Sequence, residues 1–170
     1  MTILVDDAGT GDLLWGVVIG AYQPETDTFL YDIIDVSFFK EGAFQEKRHF
    51  EEAAAIALRL VERLGLKTFE KIRVCQGDIL NVAAEKLMER YGEEAVERVH
   101  VEGRAQELIE GAYTDELRNL GYEPMPDRTE KWGKSFWHMF DWVKKAPDER
   151  VKWAKTGFPN LKKFRIFQRR

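Results

Sequence analysis

Two carboxylates, Asp6 and Asp7, stand side by side where the short apolar run Thr2-Ile3-Leu4-Val5 stops. A glycine turn, Ala8-Gly9-Thr10-Gly11, follows at once, and a second apolar run opens at Trp15. Adjacent like charges repel, and each glycine adds chain freedom that folding must remove. Neither choice favours stability. A divalent cation would neutralise the acids, and a phosphate would use the amides of the turn, so the segment points to metal or phosphate chemistry.

The elements that must carry this pair follow from apolar periodicity. Residues 3–5, 15–22 and 29–39 read as strands, with turn chemistry at Pro24-Glu25-Thr26-Asp27-Thr28. Short connections predict an antiparallel meander. The period then changes. Ala53, Ala54, Ala57, Leu58, Val61 and Leu64 share one helical face that Gly65 ends. A strand is predicted over 71–75, a helix over 82–91 capped by Asp78 or Asn81, a strand over 98–101 and a helix over 105–120. Residues 131–143 predict a further helix, rich in aromatics.

The 170 residues suffice for a domain with a real core, and 44% hydrophobic against 33% charged predicts a globular chain. No apolar run is long enough for a membrane span, and no basic start leads into a greasy stretch. Cys75 is the one cysteine, and His49, His100 and His138 lack metal-site spacing, so neither a disulfide nor a zinc site is expected. A cytoplasmic protein is the expectation. Scarce Asn and Gln beside abundant Glu, Lys and Arg resemble the composition of heat-adapted proteins.

The net charge of −4 hides an asymmetry. Residues 1–130 hold 14 Lys or Arg against 27 Asp or Glu, a balance of −13; residues 131–170 hold 12 against 3, a balance of +9. The division expected is a body over 1–130 and a basic, aromatic extension over 131–170 packed on it. Aromatics interleaved with lysines can stack on bases and neutralise phosphates. Lys162, Lys163 and Arg165 are the candidates for nucleic-acid contact, with Lys155, Arg169 and Arg170 in the same basic series. Docking on the acidic body or an oligomer contact is the competing use of that end. Trp132, Phe136, Phe140 and Val143, at helical spacing, are expected in the core.

A meander followed by αβαβα is an α/β order with a mixed sheet covered by helices, and it resembles the ribonuclease H-like fold. Within that superfamily, Val5-Asp6-Asp7-Ala8-Gly9-Thr10-Gly11 with Trp15-Gly16-Val17-Val18-Ile19-Gly20 resembles the opening of type 2 ribonuclease H, which reads Asp-Glu-Ala-Gly-Arg-Gly. Lys71-Ile72-Arg73-Val74, Val101-Glu102-Gly103-Arg104-Ala105-Gln106, and Gly121-Tyr122-Glu123-Pro124 with Asp127-Arg128-Thr129-Glu130-Lys131-Trp132 resemble later segments of the same family.

The resemblance implies a divalent-metal-dependent nuclease. Asp6, Asp7, Asp78 and Glu107 or Glu110 would be the carboxylates that hold Mg²⁺ or Mn²⁺, and two such ions would drive phosphodiester hydrolysis of RNA or an RNA/DNA hybrid. Gly9, Thr10 and Gly11 would approach the nucleic acid. The chain departs from the family at four places. Asp7 stands for the glutamate of the acidic pair, a tolerable change. Thr10 stands for the arginine, Cys75 for the third acid, and Gln106 for the fourth, with Asp78 and Glu107 displaced from those positions. A ribonuclease H-like protein that binds or scaffolds without catalysis is therefore the alternative. Asp78 is also an ordinary helix-cap residue, and Glu107 and Glu110 are ordinary helix acids. Asp7-Ala8-Gly9-Thr10-Gly11 also resembles the first phosphate loop of sugar kinases and actin-like ATPases, a third reading.

Overall fold

The computed structural model describes residues 1–65 and 71–168. The apolar runs form five strands: β1 (Thr2–Ala8), β2 (Val17–Gln23), β3 (Thr28–Ile34), β4 (Lys71–Cys75) and β5 (Val96–Val99). They join in one sheet of order β3-β2-β1-β4-β5, so β1 is central. The β1–β2 and β2–β3 pairs are antiparallel, and the β1–β4 and β4–β5 pairs are parallel. The α/β class and the meander match the sequence expectation.

Helices cover both faces because the strand residues alternate sides. Ile3, Val5, Val17, Ile19, Ile72 and Val74 pack on α1 (Arg48–Leu64) and α2 (Asn81–Tyr91). Gly65 ends α1 in the left-handed conformation at φ 73°, as its position predicts. Ala8 and Val18 face the other way, toward α3 (Arg104–Asn119) and α4 (Trp132–Lys145). Gly20 lets α3 come close: a Cβ there would lie 2.5 Å from Ile109 Cγ1. No helix among the described residues is long and apolar enough to cross a membrane.

Three expectations need correction. The third strand stops at Ile34 rather than Phe39, because the Asp35 carboxylate accepts the Ser37 amide at 2.8 Å and turns residues 36–39 into a 3-10 helix. Neither Asp78 nor Asn81 caps α2 through its side chain; Asp78 begins a short 3-10 turn, and Asn81 Oδ1 accepts from Arg98 at 2.9 Å. The last strand begins at Val96, set by its register on β4, and Val101 is instead core against Ala105 and Tyr22.

The C-terminal segment packs in the same layer as α3. Met139, Phe140, Val143, Ala154 and Leu161 are buried with Leu13, Leu14 and Tyr113. Leu14 bridges to Ala154, and Lys40 Nζ donates to the Val151 and Ala154 carbonyls at 3.1 and 2.6 Å. Phe140 and Val143 join the core as their spacing predicts, while Phe136 is half-buried. The Trp132 side chain, Arg169 and Arg170 lie outside the described residues.

Candidate functional site

The site begins with strand lengths. The β1–β4 ladder runs from Thr2↔Lys71 to Val5↔Val74, and β4 ends one residue later at Cys75. Strand β1 continues on its other edge, with Asp6↔Gly20, Asp7↔Ile19 and Ala8↔Val18. Asp6 and Asp7 therefore project where β1 has lost its parallel neighbour. Alternation alone would send them to opposite faces. The missing neighbour opens a shared cleft of about 280 Å³, lined by both aspartates, residues 8–11, Cys75, His100, Val101, Gln106 and Glu110.

The two acids are held differently. Asp6 is buried, and its Oδ1 accepts the Asp7 amide at 2.8 Å. Burial raises its carboxyl above the usual range, against lowering hydrogen bonds from the Cys75 thiol and the Asp7 amide. Asp7 accepts the Thr10 hydroxyl. Desolvation pushes its carboxyl up to about 6, opposed by that bond and aided by the Asp6 charge. Among the described residues no lysine, arginine or histidine forms an ion pair with either aspartate. Beside Asp6, burial pushes the Cys75 thiol up to about 11, with the Asp6 hydrogen bond adding to the effect. That thiol is protonated at neutral pH.

The remaining candidate acids do not complete a cluster. Asp78 is exposed in its 3-10 turn, and Glu107 is exposed on α3; neither lines the cleft. Glu110 does line it, but its carboxylate is ion-paired with Arg128. Among the described residues, no three His, Cys, Asp or Glu side chains are grouped closely enough to hold a metal ion. The assembled set of Asp6, Asp7, Asp78 and Glu107 expected from the resemblance is thus corrected: Asp78 and Glu107 are exposed outside the cleft, and Gln106 rather than Glu107 lines it.

The glycine loop is fixed from beneath by residues that sequence reasoning did not single out. Lys155 is fully buried, and its Nζ donates to the carbonyls of Gly9, Asp12 and Leu14 at 3.0, 2.8 and 3.1 Å. An ammonium has three protons, so all three are used. Burial nevertheless pulls the amine down to about 7, partly offset by the Asp12 charge. Asp12, also fully buried, pairs with Arg128 and accepts the Ser135 hydroxyl at 3.0 Å. Tyr113 donates to the Leu14 carbonyl at 2.8 Å, and its ring lies against Gly9. Gly9 adopts φ 98°, and a Cβ there would fall 2.4 Å from that ring, so residue 9 must be glycine on both counts. Thr10 and Gly11 are exposed at the rim.

Lys155 is therefore a structural cation and not a contact for nucleic acid. Lys162 is exposed but pairs with Glu41 at 2.6 Å, a docking of the extension on the acidic body. Lys163 stacks over the Phe164 ring at 5.2 Å, and Arg165 is exposed in a 3-10 turn. Buried Arg128 and Lys155 carry no local signature in the sequence; Lys155 reads as one more member of a basic series. No protein-family model matches the sequence, and no similar protein was found among curated proteins.

Proposed function

We propose that this chain is a ribonuclease H-like protein whose acidic centre is reduced to the Asp6–Asp7 pair. It binds nucleic acid there through one divalent cation and does not hydrolyse it by a two-metal mechanism. The observation that carries this reading is the Cys75 thiol against Asp6, where the resemblance calls for a third carboxylate. The acid-bearing end of a central strand, between an antiparallel meander and two parallel strands, supports the ribonuclease H-like part of it.

The residues fit one hard cation and not two. Asp6 and Asp7 are a crowded carboxylate pair without an ion-paired side chain among the described residues. Mg²⁺ commonly uses one or two carboxylates, keeps several waters and takes phosphate oxygens for the rest. A protonated thiol is a poor ligand for such an ion, and Glu110 is committed to Arg128. When bound, the cation would neutralise the pair and offer its open positions to a phosphodiester oxygen. The chain's own part is to hold Asp7 through Thr10 and to keep residues 9–14 rigid through Lys155.

Calorimetric titration with Mn²⁺, followed by incubation with RNA, DNA and hybrid duplexes, tests this. One Mn²⁺ per chain is expected, with at least a tenfold loss of affinity in Asp7→Asn and no cleavage of any substrate. Mn²⁺-dependent cleavage that disappears in Asp6→Asn would overturn the non-hydrolytic reading. Absence of Mn²⁺ binding would remove the metal from the proposal.

A further inference from the structure

Trp137 is 48% exposed, the most exposed large aromatic among the described residues, and it lies on the exposed face of α4 with Lys134, His138 and Asp141. The ring is not loose. Phe136, Phe140 and Phe164 meet it in edge-to-face contacts with centroids 5.4, 5.3 and 5.7 Å away. Phe140 is buried and in turn meets Phe164 and Phe167 edge to face, with centroids 4.8 and 5.9 Å away. A tryptophan braced by three phenyl rings loses little freedom when a flat ligand covers it, which makes it a preformed platform.

The charge around this platform is positive. Lys134 lies one turn before Trp137 on α4 and is exposed. Lys163 lies over the face of Phe164, the ring that touches Trp137, and exposed Arg165 follows. Asp141, one turn after Trp137, is the exposed acid of the same helix. Residues 131–170 carry +9 against −13 for residues 1–130, and although Lys155 is buried and Lys162 is paired with Glu41, exposed Lys134, Lys163 and Arg165 remain near the platform to attract an anionic chain.

We infer that Trp137, with Lys134, Lys163 and Arg165, forms a binding surface for single-stranded nucleic acid. One base stacks on the exposed indole, and the flanking cations neutralise the adjoining phosphates. A duplex is disfavoured, because its bases are stacked internally and offer no free face. This surface requires no metal and is separate from the Asp6–Asp7 cleft, whose lining contains none of these residues.

The test is fluorescence anisotropy of a labelled 20-nucleotide oligothymidine and the matching oligouridine, in EDTA and at low salt. Binding quenches tryptophan fluorescence and weakens steeply as salt rises. Stacking of one base implies a loss of about 5- to 100-fold in Trp137→Ala. Trp137→Phe recovers part of it, and Lys163→Glu lowers the salt slope. The assay in EDTA leaves the Asp6–Asp7 cleft without a cation, so a failure at the cleft and a failure here are told apart. Equal affinity in Trp137→Ala and wild type, with the circular dichroism of both unchanged, overturns the inference. So does a change of oligomeric state in Trp137→Ala on gel filtration, which would make the surface a contact between copies of the chain.

Discussion

Glu110 reaches the acidic cleft, yet its carboxylate belongs to Arg128, whose guanidinium also holds the buried Asp12. One cation thus links the helix beside the cleft to the floor of the glycine loop. A buried guanidinium between two carboxylates tolerates loss of neither sign. In Arg128→Met, Asp12 keeps the Ser135 hydroxyl but loses its ion pair, and only the more weakly coupled Lys155 amine remains to offset its buried charge. The expected cost is about 3–5 kcal/mol, measured by urea denaturation. Adding Asp12→Asn to that variant should restore about half of the loss, because that buried charge is then gone.

Lys155 is the second tie. Its three hydrogen bonds fix the carbonyls of Gly9, Asp12 and Leu14, and Lys155→Met removes all three donors while keeping most of the volume. Destabilisation of about 2–4 kcal/mol is expected from three buried acceptors losing their partner. Hydrogen exchange locates the effect: amides of residues 9–15 should lose protection by a larger factor than those of α1. Uniform loss across the molecule would show that Lys155 supports the whole fold and has no special relation to the loop.

The sign of the pH dependence follows from Asp7. Its carboxyl titrates at about 6 in the folded chain and at 3.8 in the unfolded chain. Between those values the folded state holds a proton that the unfolded state has released, so the Asp7 contribution to stability falls as pH rises from about 4 to about 6 and is flat above. The stabilising proton is fully in place below pH 3.8. Allowing for solvent in the cleft, the swing is about 2 kcal/mol. It is read as the difference between wild type and Asp7→Asn across pH 4–7, which cancels the other carboxylates. Asp6 is raised in the same direction and remains in both chains. Mn²⁺ should reverse the trend, stabilising the protein above pH 6 and losing its effect below, as protons compete for Asp7.

The sheet was legible because strand and helix periods differ, and the short run Lys71–Cys75 stands between two breaks in pattern. The Asp6–Asp7 pair was legible because two acids interrupt an apolar run. Its partners were not. Asp12 and Arg128 lie 116 positions apart, and Lys155 and Gly9 lie 146 apart, so no local spacing couples them. A lysine buried among carbonyls has the same letter as one in solvent, and nothing in the basic series around Lys155 sets it apart. Asp78 misled for the opposite reason: its place just after a strand is that of a ligand, but it stands exposed in a 3-10 turn and does not line the cleft.

The strongest lever on the cleft is Cys75. Replacing its thiol by a carboxylate sets a third acid beside Asp6, where the present side chain stays protonated up to about pH 11. Without metal, three crowded acids repel, and Cys75→Asp should lower stability by about 1–3 kcal/mol at pH 8. With metal the repulsion becomes coordination, so Mn²⁺ affinity should rise at least tenfold and the metal-bound melting temperature should recover. Wild-type Cys75 supplies the control: its thiolate fraction at pH 8 is about one in a thousand, so alkylation by iodoacetamide should be far slower than for a free thiol. If Cys75→Asp destabilises the protein and Mn²⁺ does not rescue it, Asp6 and Asp7 do not share a cation, and the acidic pair has some use other than metal binding.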